Sequence, residues 1–221
     1  MLHGIFTLPL PENEPVREYR PGSPERDELR AALESLSSQE IEITLVIGGK
    51  RVRKDSPRVE ACGSIDELNA LLGVVRSCPL PPEVDRVLDQ IQDDLFTVGA
   101  HLAVAADCDP GAWGIPPFAE ELVRRLEGLI DEGEAKLAPL ERFILPGGTC
   151  AGALLHLART VARRAERRCV TLAAAEKVDP RLMAYLNRLS DLCFVLARLV
   201  NRDAGRAETH PRFGRNREGE S

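Results

Sequence analysis

The chain reads as an all-α protein: a five-helix bundle preceded by an N-terminal arm that contains a short helix and a strand. Two observations carry that reading. Leu and Ala dominate the apolar residues, while Phe, Trp and Tyr number only 6, 1 and 2 among 221 residues, a balance that favours helices over sheets. Apolar residues also recur with a helical period through each long segment between Ser64 and Arg202, and Pro, Gly and capping residues punctuate those segments. A chain of this length has ample material for a core without disulfide or metal staples.

Residues 1–24 carry five prolines (Pro9, Pro11, Pro15, Pro21, Pro24) and no period, so an extended arm is expected. Ser23 then caps a short amphipathic helix from Pro24 to Glu34, with Pro24 at its first position. The β-branched run IEITLVI ahead of Gly48 and Gly49 predicts a strand and a turn, as in a hairpin. Ser64 and Glu67 form a capping box after Gly63, which predicts a helix start at Ser64 and an end near Pro79. Leu68, Leu71, Leu72 and Val75 make its buried stripe; Asp66, Asn69, Ala70 and Gly73 make a narrow polar face suited to the close approach of another helix or a ligand. Pro81 and Pro82 open the next helix, whose Val84, Leu88, Ile91, Leu95, Val98 and Leu102 hold the period to about Ala106. A loop with Pro110, Gly111, Trp113 and Gly114 leads to a helix from about Pro117 to Lys136.

The last two helices hold the polar chemistry. At about 100° per residue, Leu155, Ala158, Ala162, Ala165, Cys169 and Leu172 share one arc, and His156, Arg159, Arg163, Glu166 and Arg167 share the other. After Asp179, Leu186, Leu189, Leu192, Leu196 and Leu199 share a side, while Asn187, Asp191, Phe194 and Arg198 recur on the opposite one. An aromatic on that polar stripe is out of place for packing alone. Three stacked guanidiniums repel one another unless anions compensate them. Glu166, Asp66 and Asp191 could do so as a salt-bridge network, and a polyphosphate held by bidentate Arg contacts explains the stripe equally well. The LPGGT turn, Leu145 to Thr149, adds backbone N–H groups at a helix start, where anions are favoured.

The formal net charge of −6 argues against a generic nucleic-acid binder and makes the basic cluster Arg163, Arg164, Arg167 and Arg168 a local feature. Six scattered cysteines without a C-x-x-C pair read as reduced thiols. The N-terminus lacks a signal-peptide pattern and no stretch stays apolar for about 18 residues, so a cytoplasmic chain without membrane contact is expected. No Glu-x-x-His, Walker A, G-x-G-x-x-G or hydrolase triad pattern occurs, and IGGK (Ile47 to Lys50) reads as a turn. From Gly205 the chain is charged and without period. The expected organisation is an arm over 1–53, a helical bundle over 54–203 and a disordered tail over 204–221.

Three ordered segments, RVEACGSIDELNALLG (Arg58 to Gly73), RFILPGGTCAGALLHLARTVARRAERR (Arg142 to Arg168) and YLNRLSDLCFVLAR (Tyr185 to Arg198), closely resemble the PduO-type corrinoid adenosyltransferases. The resemblance implies a homotrimer of five-helix bundles with active sites between subunits. It also implies transfer of the 5′-deoxyadenosyl group of ATP to cob(I)alamin, with release of triphosphate. By the same resemblance Arg163 contacts the nucleotide phosphates, Glu166 and Asn187 help hold Mg-ATP, and Arg159 pairs with Asp66 across the subunit interface. Lys54, in the segment matching R-V-x-K, and Thr44 join the ATP site. Phe143 and Phe194 match aromatics near the lower face of the corrin, where they exclude the lower axial ligand. The activity further implies a corrinoid reductase and an adenosylcobalamin-dependent enzyme as partners.

The family's glycine-rich nucleotide loop is the point of departure. Before Arg51, Val52 and Lys54 the chain reads SLSSQEIEITLVIGG, with Gln39 and Glu42 where glycines are expected. A carboxylate and a Cβ there oppose close approach of phosphate. Residues 13–50 instead resemble the N-terminal arm of 1-pyrroline-5-carboxylate dehydrogenases, without any catalytic segment of those enzymes. Three readings follow: an adenosyltransferase, a non-catalytic corrinoid-binding or carrier bundle that lost the nucleotide, and a structural trimer whose polar stripes are subunit contacts.

Overall fold

The computed structural model describes residues 17–38, 44–47, 50–104 and 109–212. The chain divides into two compact units, Met1–Glu42 and Ile43–Ser221. In the first, α1 (Pro24–Ser38) begins where the sequence places it: Ser23 Oγ accepts from the Arg26 N–H at 3.3 Å, with Pro24 at the first position. It runs four residues beyond Glu34, buries no residue, and leaves Leu29, Leu33 and Leu36 exposed along one side. Residues 1–16, where the extended arm is expected, lie outside the described residues.

The second unit opens with the expected hairpin, β1 (Thr44–Ile47) paired antiparallel with β2 (Lys50–Arg53) in the register Thr44 to Arg53 and Ile47 to Lys50. Five long helices follow: α2 (Pro57–Arg76), α3 (Pro82–Ala103), α4 (Glu120–Glu134), α5 (Cys150–Ala173) and α6 (Pro180–Asp203), with one 3-10 turn at Pro110–Trp113. Local chemistry starts most of them. Ser56, Thr149 and Asp179 cap α2, α5 and α6 through their side-chain oxygens, and Pro occupies the first turn of α2, α3 and α6.

The start of α2 differs from the sequence expectation. The Ser56 cap and Pro57 open the helix seven residues before Ser64, whose hydroxyl is turned inward and donates to the Glu60 carbonyl at 2.8 Å. The extra turns exist because they bury Arg58 at the end of the bundle. Its guanidinium donates to the Leu102 and Val104 carbonyls and pairs with Glu176, tying the ends of α2, α3 and α5 together. A buried cation so fully partnered offsets its desolvation, and a Ser64 start would remove this link between the helix ends.

Residue pairs fix the helix directions. Asn69 meets Gln92 and Arg76 meets Asp85, so α2 and α3 are antiparallel. Glu60 meets Arg168 and Glu67 meets Arg164, so α2 and α5 are antiparallel as well. Glu166 meets Asn187 and Thr149 meets Asn201, which sets α6 antiparallel to α5. Asp94 of α3 closes the bundle: Tyr185 of α6 donates to it at 2.7 Å and Arg125 of α4 pairs with it. The enclosed core is aliphatic, with Leu68, Leu72, Leu88, Leu95, Leu126, Leu155 and Leu172 buried beside Phe118 and Tyr185.

The segment after α6, expected to be disordered, is held in place as far as it is described. Arg198 donates to Glu208 at 2.6 Å, the Leu145 N–H donates to the Thr209 carbonyl at 2.8 Å, and His210 Nδ1 donates to the Phe143 carbonyl at 2.9 Å. Residues 213–221 lie outside the described residues.

Candidate functional site

The exposed side of α5, the facing side of α6 and the loop between α4 and α5 form one surface. Its composition follows from the helical period, but its chemistry is decided by which charges find partners. Arg164 and Arg168 lean toward α2, where Glu67 and Glu60 neutralise them, the latter at 3.0 Å. Arg163 and Arg167, on the open side, are exposed and make no side-chain hydrogen bond or ion pair among the described residues. The carboxylates that a salt-bridge network required are engaged elsewhere or stand apart. Glu166 accepts from Asn187 Nδ2 at 3.0 Å, Asp191 pairs with Arg188 at 3.2 Å, and Asp66 is exposed without a hydrogen-bond partner among the described residues. Arg188 also donates to Asn187 Oδ1 at 2.6 Å, so the Asn187 amide is fixed from both ends. Two unneutralised guanidiniums beside a positioned amide–carboxylate pair make a surface that favours a multiply charged anion.

Phe194 stands next to that surface and is not ordinary core. Arg159 lies 5.6 Å from its ring centroid and Arg198 5.9 Å, while the His156 ring meets it edge-on at 5.9 Å. The quadrupole of the ring draws in both cations and explains an aromatic on a polar stripe. His156 is only 5% exposed, and burial, followed by the field of Arg159, pushes its imidazole below its ordinary value of 6.5. A neutral imidazole therefore packs there at neutral pH.

Phe143 is 78% exposed, a large apolar side chain left open among the described residues. Its loop is nonetheless anchored at both ends. Past it, the Thr149 N–H and hydroxyl donate to Asn201 Oδ1 at 2.8 and 3.0 Å, and Asn201 Nδ2 donates to the Gly147 carbonyl at 2.9 Å. Gly148 has φ 101°, and a Cβ there or at Gly152 would overlap the Asn201 carboxamide. That is the physical requirement behind the two glycines. On the other side, Thr209 and His210 hold the Leu145 and Phe143 backbones, and Arg198 donates to the Ala138 carbonyl at 2.8 Å.

The structure thus gathers Arg159, Arg163, Glu166, Asn187 and Phe194 on the α5–α6 surface, with Phe143 on the adjoining loop. It does not join the rest of the expected set to them. Asp66 makes no contact with Arg159 within the chain. Lys54 is exposed in the turn between β2 and α2, and Thr44 opens β1 opposite Arg53. Asn201, Glu208, Thr209 and His210 escaped sequence reading. No sequence pattern pointed to them, because single hydrogen-bonding residues carry no period. Among the described residues no three His, Cys, Asp or Glu side chains cluster as a metal site. A cavity of about 690 Å³ lies at the end of the bundle away from the Phe143 loop, lined by Arg58, His101, Lys177 and Arg181, and it includes none of the gathered residues.

Comparisons with known proteins converge on this arrangement. The Cobalamin adenosyltransferase family profile matches residues 42–200. The chain is 44% identical over 165 residues to the corrinoid adenosyltransferase PduO of Salmonella typhimurium, covering 74% of this chain and 48% of that protein, about half its length. It is 43% identical over 158 residues to a cobalamin adenosyltransferase of Cupriavidus metallidurans, covering 71% and 82%. The fold matches a variant PduO-type ATP:corrinoid adenosyltransferase of Lactobacillus reuteri complexed with cobalamin and ATP, with a TM-score of 0.71, 33% identity, and coverage of 76% and 94%. With a helical bundle of the same shape and a family match over most of its length, this chain belongs to the cobalamin adenosyltransferase family, of the PduO type.

Proposed function

We propose that the chain transfers the 5′-deoxyadenosyl group of ATP to cob(I)alamin, forming adenosylcobalamin and triphosphate. The observation that carries the proposal is the division of the α5 arginines: Arg164 and Arg168 are neutralised, whereas Arg163 and Arg167 face outward uncompensated beside Glu166 and Asn187. In this reaction the reduced corrinoid supplies the electron pair that forms the bond to C5′, and the pair of the breaking C5′–O bond leaves on triphosphate. The protein's tasks are alignment and neutralisation of the departing charge. Arg163 serves the phosphates, Glu166 and Asn187 hold the nucleotide with the Mg²⁺ it brings, and Lys54 and Thr44 approach from the hairpin. Phe143 and Phe194 floor the corrin; an exposed Phe143 and a cation-flanked Phe194 suit a large apolar ring system that arrives as substrate.

An open surface, with Asp66 and Arg159 apart, agrees with a homotrimer in which Asp66 of one subunit meets Arg159 of the next. We assign 54–203 as the catalytic body and 1–53 as an arm, of which residues 13–50 are of the 1-pyrroline-5-carboxylate dehydrogenase leader type, and place the protein in the cytoplasm between a corrinoid reductase and an adenosylcobalamin-dependent enzyme. No helix among the described residues is long and apolar enough to cross a membrane.

The test is adenosylcobalamin formation by the Arg163→Ala chain, expected to fall by about 10²–10³-fold. Turnover equal to the unaltered chain removes Arg163 from the role. A carrier reading is favoured by one feature, Gln39 and Glu42 in place of loop glycines. Calorimetry of Mg-ATP on this chain, beside one with a glycine-rich loop restored over Leu36 to Thr44, separates the two. Binding by the natural chain supports transfer; binding only after restoration supports the carrier.

A further inference from the structure

Five of the six cysteines lie among the described residues, and two of them meet. Cys78 follows Ser77, the C-terminal cap of α2, and Cys150 is the first residue of α5. They are 72 positions apart in sequence, yet their sulfurs stand 3.4 Å apart, with the Cys78 thiol donating toward Cys150 Sγ. Cys150 is exposed at the N-terminus of α5 and open to solvent reagents. Cys78 is partly buried, and its bond to Cys150, then burial, push its thiol up. Cys150, the more exposed of the two sulfurs, is the one a small disulfide in solution reaches first. Two other described thiols contrast with this pair: burial pushes Cys169 and Cys193 up to about 12, which leaves them unreactive.

We propose that Cys78 and Cys150 are a modification site, a dithiol that closes to a disulfide by exchange with a low-molecular-weight disulfide and stitches the end of α2 to the start of α5. The Cys150 thiolate attacks one sulfur of the small disulfide, whose S–S bond breaks and releases one small thiolate. Cys78 then gives up its proton and attacks the Cys150 sulfur of the mixed disulfide, expelling the second. One S–S bond is lost and one gained; the two protein sulfurs are oxidised, the two small-molecule sulfurs are reduced and take up the protons. A bond needs the sulfurs at about 2.0 Å, an approach that side-chain rotation at two helix ends can supply. The bridge lies immediately after Thr149, so it tightens the base of the loop that carries Phe143.

The experiment equilibrates the full chain, under native conditions, with mixtures of oxidised and reduced glutathione and reads intact mass and a non-reducing peptide map. The expected result is loss of two hydrogen masses, one cross-linked peptide pair containing Cys78 and Cys150, and a rise in Tm of several degrees from closing a long loop. Cys78→Ser should trap a single glutathione on Cys150, and Cys150→Ser should form no bridge. Matching far-UV dichroism of both reduced variants and the unaltered chain shows that a missing bridge reports a missing sulfur. A glutathione adduct that persists on Cys150 of the unaltered chain, or a bridge that engages any of the other four cysteines, overturns the proposal.

Discussion

Two edges of α5 carry the same side chain to opposite ends. On the edge toward α2, Arg164 and Arg168 meet Glu67 and Glu60, and deeper at that end Arg58 is locked between Glu176 and two carbonyls. On the open edge, Arg163 and Arg167 meet nothing among the described residues and Arg159 meets only the face of Phe194. Charge repulsion makes an uncompensated row of cations unfavourable, so its survival on one edge points to an external anion. The paired edge shows that the fold supplies carboxylates where structure alone needs them. The expected network of Arg159, Arg163 and Arg167 with Glu166, Asp66 and Asp191 does not form among the described residues; the carboxylates that neutralise α5 arginines are Glu67 and Glu60, on the other edge of the helix.

The comparison breaks most visibly at activity. Arg163→Ala should lose about 10²–10³-fold in adenosyl transfer with an unchanged melting temperature, while Arg164→Ala should keep activity within a few-fold. Equal losses in steady-state assays of the two variants would erase the distinction between the edges.

Next in size is Arg58→Met, which should leave activity per folded molecule intact but destabilise the bundle by about 3 kcal/mol, because it strips partners from Glu176 and two buried carbonyls. Urea unfolding monitored by dichroism measures it. A variant as stable as the parent would mean that this buried cation only breaks even.

A smaller effect belongs to His156. Its imidazole is depressed by burial and by Arg159, so below its ordinary value of 6.5 the unfolded chain binds a proton that the folded chain refuses. Stability should therefore be full above that value and decline as pH falls from it toward the lower folded-state value. His156→Gln should flatten that slope in melting curves recorded across the window. The smallest effect is Arg168→Ala, an exposed pair whose loss should cost about 0–1 kcal/mol and fade in high salt.

Much of this was legible from residue order. The pairing of Thr44–Ile47 with Lys50–Arg53, the cap at Ser23 and the apolar stripes of five helices all follow from rules that act within a few residues. The α2 start was misread because two local signals competed: the Ser64–Glu67 box was overruled by Ser56 with Pro57 once Arg58 found partners at two distant places, the end of α3 and the segment after α5. The described stretch from Arg206 to Arg212 departs from expectation for a related reason. Its lack of period reports the absence of a helix, whereas its order comes from single hydrogen bonds to a loop about sixty residues earlier.

The sequence by itself determined which residues share a face, because helical periodicity is local, and it determined the family, because three motifs stand in order. Only the tertiary structure decided which cations are spent on carboxylates and which remain free, that Phe194 lies beneath two guanidiniums, and that Cys78 and Cys150 touch. Those facts depend on the register between helices that are distant in the chain. That register is set by packing of the whole core, which no local window of residues contains.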